Sequence, residues 1–260
     1  MAFPTLDVII NTVIVLVIGV AIVYLLSRAL KLRPKPITIA NPRKEMTLVF
    51  FIIVAAFVVM SLLGGFLLDV LPPTDVIDVL WVIFFYALLL LPLVIAMRRT
   101  GQTLGSIGIS RKDSWRTFAL GLILSAVFTM LMGFTASSYG GSFIGLSPAL
   151  AFGLVIFAIN GSSEEIVFRG YIQTRLIAYS GPLKGLVVAS LVFALWHFPM
   201  CYYASSGAVL ESLANALLRL PLGLLFGYIM LKSQNIIPSS ISHALWNWSL
   251  LLWQMPFGFD

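Results

Sequence analysis

Charge is scarce in this chain. Asp, Glu, Lys and Arg make up only 10% of its 260 residues, against 60% hydrophobic, whereas a soluble globular chain carries about a quarter charged residues. Too little polar surface is left to cover a water-soluble fold, and a mean hydropathy of +1.04 places the chain in a membrane. Cysteine is scarcer still: Cys201 stands alone, which excludes an internal disulfide. Alternation of apolar and polar residues over short segments is missing, which excludes a transmembrane barrel. No internal repeat of the inverted-transporter kind is found. Neither HExxH nor GxSxG occurs, so the chain lacks the usual sequence signs of a zinc peptidase helix and of a serine nucleophile elbow. There are only two histidines, His197 and His243.

What is present is a series of long apolar runs, at roughly 6–30, 46–69, 76–97, 115–137, 147–177, 183–200, 209–231 and 237–254. Each approaches the roughly 20 residues that a helix needs to cross a hydrocarbon core, and continuous apolar runs are what helices in lipid require. The expectation is an all-α polytopic protein, a bundle of about eight transmembrane helices enclosing a cavity open to the cytosol. It is read as one integral membrane domain over 1–260, with four helices in 1–140 and the motif-bearing helices in 147–254. The first run follows Asp7 and precedes Lys31, Arg33 and Lys35, an order opposite to that of a cleaved secretory signal.

Basic residues mark one side. Arg28, Lys31, Arg33, Lys35, Arg43 and Lys44 surround the first connection. Arg98, Arg99, Arg111, Lys112 and Arg116 surround the third, Arg175 and Lys184 the fifth, and Lys232 the seventh. By the positive-inside rule that side is cytoplasmic. Asp7, Asp69, Asp75, Asp78, Glu211 and Asp260 fall on the other side, where both termini are expected. The net charge of +6 is spread over separate loops beside spans, so anionic lipid headgroups, not nucleic acid, are its expected partner.

Against this background the polar residues inside apolar runs stand out. A charged group at the bilayer centre costs roughly 3 kcal/mol, so Glu164, Glu165 and Arg169 facing lipid would cost about 9 kcal/mol, comparable to the stability of a whole domain. They must pair, neutralise or face a wet cavity. The fifth and sixth runs form a hairpin turning near Ser180-Gly181-Pro182. Glu164 lies sixteen residues before Ser180 and His197 seventeen after it, so both sit about 24 Å from the tip. Glu165 has Arg169 at i+4, the favourable order for an ion pair. His243 has Asn247 at i+4, and Phe193 sits one turn before His197. One tension remains, because His243 is only about 13 Å along its helix from Asn235; the hairpin must project further, or the cavity must be deep and tilted. A carboxylate beside a water and an imidazole is a general base, and an Asn amide or second imidazole can hold a developing oxyanion. That is an inventory for amide hydrolysis.

The same residues carry a resemblance. Glu164-Glu165-Ile166-Val167-Phe168-Arg169 fits an EExxxR motif, Phe193 to His197 an FxxxH motif, and His243 to Asn247 an HxxxN motif, in that order. Together they resemble the type II CAAX prenyl endopeptidases, of the CPBP or Abi family of intramembrane glutamic proteases. The resemblance implies that Glu164 activates water with His197, that His243 and Asn247 hold the oxyanion, and that Glu165 and Arg169, with Phe193, support the site. No cofactor and no metal are implied. It further implies a prenylated protein or peptide C-terminus as partner, release of a C-terminal tripeptide, and access from the cytosol with the lipid group entering between helices.

Rival readings remain open at this point. A His/His/Glu zinc site is one, and Ser162 or Ser163 as a nucleophile is another. A non-proteolytic scaffold, a bacteriocin self-immunity-like protein and a proton-coupled transporter use the same residue types. Arg219, with Asn215 and Glu211 at i−4 and i−8, forms a polar stripe that fits a snorkelling side chain or a cavity wall equally well. Gly223 and Gly227 form a GxxxG suited to close helix packing.

Overall fold

The structure, a computed structural model, describes residues 5–70, 75–111, 113–138, 140–145 and 147–254; Lys112 and Asp260, used above for orientation, lie outside them. Local chemistry sets the helix ends. α1 (Leu6–Ala29) starts at Thr5, whose hydroxyl accepts from the Val8 N–H. α2 runs Pro42–Asp69, with the proline in its first turn, where its missing N–H costs nothing. α3 (Val76–Thr100) opens with a capping box of Asp75 and Asp78 and closes on Gly101, left-handed at φ 64°. A short 3-10 turn, Leu104–Ile107, leads to α4 (Ser114–Ser138).

The second half is less regular. α5 (Pro148–Glu165) passes through a π-helical stretch, Ile166–Gln173, into α6 (Thr174–Ser180). α7 (Pro182–Trp196) gives way to α8 (Phe198–Ala204) at His197, two residues before Pro199. α9 (Val209–Leu217) gives way to α10 (Leu220–Ser233) at Arg219, two residues before Pro221. Each proline removes a backbone donor and disfavours helical geometry just before it. The last helix is α11 (Ile237–Leu250). The fold is all-α; the sole extended pairing among the described residues joins Ser142–Phe143 to Trp253–Gln254.

Among the described residues, seven helices are long and apolar enough to cross a membrane: α1 to α4, α5 with α6, α7 with α8, and α9 with α10. The eighth expected run is different. α11 has 14 residues, about 21 Å at 1.5 Å per residue, which falls short of a core of about 30 Å. It is packed against α4, α5 and α10, so protein replaces lipid around its ends. Two apolar cores carry the assembly. One joins α2, α3, the π stretch and α7 through Met60, Phe85, Leu89, Phe168 and Trp196; the other joins α1, α4 and α10 through Val23, Leu120, Phe128 and Phe226. Outward-facing Phe50, Phe51, Leu62, Phe66, Met130 and Phe134 are more than half exposed, the pattern of a surface meant for lipid.

The depth tension resolves in the connections. The span 148–180 has 33 residues, about 50 Å at α-helical rise, and its tip at Pro182 and Leu183 is exposed. The turn before α11 is sunk into the bundle instead: Asn235 and Ile236 are buried, and the Ile236 N–H donates to Gly108 O at 3.0 Å. The hairpin projects and α11 starts deep, so their side chains meet. At the same basic end, loops 32–38, 101–117 and 233–235 surround a cavity of about 350 Å³. None of Glu164, His197, His243 or Asn247 lines it, so this is not the expected cytosol-facing cavity around the motif residues. Glu164, His197 and His243 are instead buried within the bundle, and Asn247 beside them is half-buried.

Candidate active site

Three helices bring the motif residues together. Glu164 and Glu165 end α5, His197 ends α7, and His243 and Asn247 lie on α11. Close backbone approach makes this possible: a Cβ on Gly161 would lie 2.7 Å from the Ala244 nitrogen, so α5 and α11 touch one turn before Glu164 and directly beside His243. On α10, a Cβ at Gly223 would meet Ser190 O at 3.1 Å, which lets α10 press against α7 as the GxxxG spacing anticipates.

Glu164 is 2% exposed and its two oxygens are treated differently. Oε1 accepts from the Tyr86 hydroxyl at 3.0 Å and from Asn160 Nδ2 at 2.7 Å, and Asn160 also bonds the Tyr86 hydroxyl. Oε2 has no hydrogen-bond partner. It faces His197 Nε2 at 3.9 Å and His243 Nε2 at 3.8 Å, too far for direct bonds. Asn247 does not touch Glu164; its Nδ2 donates to Asn160 Oδ1 at 2.9 Å, so it joins the cluster through Asn160.

The imidazoles are oriented from behind. His197 Nδ1 lies 2.8 Å from Phe193 O. A carbonyl only accepts, so Nδ1 carries the hydrogen and a neutral ring turns the Nε2 lone pair toward Glu164. His243 Nδ1 lies 3.0 Å from Glu165 Oε1, and Phe226 stacks on its ring at 4.7 Å. Glu165 and Arg169 approach at 3.4 Å with side chains 0% and 1% exposed. The Arg169 guanidinium lies 3.9 Å from the centre of the Phe193 ring, whose edge also meets both imidazoles. Phe193 is therefore the apolar floor shared by the two imidazoles and the buried cation.

Tyr86 and Asn160 escape a motif reading of the sequence. Asn160 stands at i−4 from Glu164, a spacing that signals a shared face; Tyr86 is 78 residues away on α3, and no sequence spacing announces it. Among the described residues no three His, Cys, Asp or Glu side chains are arranged to hold a metal ion.

Residues 146–249 match the family described as type II CAAX prenyl endopeptidase Rce1-like. Over that stretch the chain is similar to that family. The match takes in α5 to α11 and all three motifs, and it supports a membrane endopeptidase of the CAAX type. No curated protein and no solved structure matches the chain significantly.

Proposed function

We propose that this Rce1-like chain is a glutamate-dependent intramembrane endopeptidase that cuts near the C-terminus of prenylated proteins and releases a C-terminal tripeptide. The observation that carries the reading is the asymmetry of Glu164, held at Oε1 by two donors and left open at Oε2 between two Nε2 atoms. A water in that gap donates one hydrogen to Oε2 and the other to His197 Nε2, which turns its lone pair toward a substrate carbonyl. As the water oxygen bonds to carbon, its proton passes to Glu164. The tetrahedral oxyanion lies toward the Asn247 amide and toward His243, which, with its Nδ1–H given to Glu165, donates from Nε2 only as the imidazolium. When the C–N bond breaks, Glu164 returns the proton to the leaving nitrogen. Glu165 and Arg169 act one step back, fixing the His243 ring.

The basic connections orient the reading in the cell: by the positive-inside rule the end bearing Arg33, Lys35 and Arg111 faces the cytosol, and substrate reaches the site from there. The test is hydrolysis of a prenylated peptide by the purified protein, alongside its unlipidated twin. Glu164→Gln and His197→Ala are expected to abolish cleavage while the proteins elute and melt as the wild type does. Cleavage surviving in Glu164→Gln sinks the mechanism; cleavage of the unlipidated peptide alone removes the prenyl preference and leaves the hydrolase.

A further inference from the structure

Among the described residues, Arg219 is the one motif-free cation beside this site. It lies between α9 and α10, within the apolar span 209–233, where an arginine without a purpose is costly. Its Nη1 donates to Asn215 O at 2.8 Å and approaches Cys201 Sγ at 3.4 Å. Among the described residues its hydrogen bonds are those two, both from Nη1, and no carboxylate pairs with it. Glu211, two turns back in sequence, leaves it unpaired. A half-buried guanidinium with three N–H groups to spare is a receptor for a planar anion.

Its position says which anion. Cys201 is one helical turn beyond His197, joined to it by the Cys201 N–H to His197 O bond of 3.0 Å. Arg219 thus touches α8 about 6 Å along the axis from the imidazole that faces Glu164. α10 begins at Arg219, adding the positive end of a 14-residue helix to the same place. One turn further along α8 sits Ser205, 8% exposed, its hydroxyl without a partner. An extended peptide advances about 3.3 Å per residue, so a chain whose carbonyl sits at Glu164 reaches Arg219 two to three residues later. The anion found there on a peptide is its own terminus.

We propose that Arg219 receives the free C-terminal carboxylate of the peptide substrate and so sets the distance from chain end to cut. This rests on the endopeptidase reading above and adds a specificity residue to it. Arg219 then measures the leaving fragment, and the Glu164 centre cuts where the ruler ends.

The experiment uses one prenylated peptide in two forms, free acid and C-terminal amide, with the full-length protein in detergent. The wild type is expected to favour the acid at least tenfold, chiefly through KM. In Arg219→Gln the acid-to-amide ratio falls toward one, and Arg219→Lys keeps part of the preference because the charge remains without the fork. Binding of the two peptides to Glu164→Gln, and to the Glu164→Gln/Arg219→Gln double variant, is read by fluorescence anisotropy. That arm decides the matter even if no peptide is cut, which would overturn the endopeptidase reading alone. Equal handling of acid and amide by the wild type, or a preference that survives in Arg219→Gln, overturns the role of Arg219.

Discussion

Two buried carboxylate clusters lie along the same π-interrupted span, and they are built to opposite specifications. Near the basic end, Glu45 accepts from Gln102 at one oxygen and from Arg175 Nε, at 3.1 Å, and Tyr171 at the other. Arg175 spends its remaining donors on Ser106 O, Ser106 Oγ and Thr174 Oγ1. Six to eleven residues earlier, Glu164 Oε2, Glu165 Oε2 and both Nη atoms of Arg169 have no protein hydrogen-bond partner. A fully satisfied buried pair holds helices together; a half-satisfied one is costly and persists where chemistry needs free lone pairs. The cluster that looks better made is the structural one.

The comparison can be broken in order of effect. The largest lies at the proposed catalytic cluster: Glu164→Gln keeps size and Oε1 contacts but removes the proposed base, so kcat is expected to fall by about 10³ to 10⁴ with little change in melting temperature. Next, Glu45→Ala strands Arg175 in the interior and is expected to cost about 3–5 kcal/mol of stability, read as a drop in thermal unfolding temperature in detergent. Inverted outcomes, with Glu164→Gln melting early and Glu45→Ala merely inactive, would erase the distinction.

A smaller effect is expected at Tyr86. Tyr86→Phe deletes one hydrogen bond to a carboxylate, worth about 1.5–3 kcal/mol, which corresponds to roughly ten- to a hundredfold in kcat and little in KM; an unchanged kcat would mean that the phenol does not hold the acid. The smallest belongs to the double replacement Glu45→Leu/Arg175→Met. Removing a buried pair together is often neutral, so stability and cleavage are expected to stay within a few-fold of the wild type, and a large loss of cleavage would show that the two clusters are coupled through the π stretch.

Much of this was legible in the sequence. Apolar runs gave the helices, because lipid demands continuous runs, and the equal arms about Ser180 placed Glu164 level with His197. The helix breaks at His197 and Arg219 carry a local signal in Pro199 and Pro221, yet the runs there read as continuous because prolines are tolerated in membrane helices. α11 read as a span because hydropathy cannot tell lipid contact from burial in protein. The cavity at the basic end is made by loops whose folding depends on distant partners such as Gln234, which accepts from the Ile37 N–H at 2.9 Å. Asn160 had a spacing that pointed to it; Tyr86 had none, since pairing of α3 with α5 is a tertiary choice.

Tyr86 has a consequence for how the molecule divides. The family match covers 146–249 and contains every motif, yet the phenol that grips Glu164 comes from α3. The first half is thus more than a lipid-facing shell around a self-sufficient catalytic core. A transplant of α5 to α11 into another scaffold would carry all the signature residues and Asn160, yet leave the acid with one of its two donors.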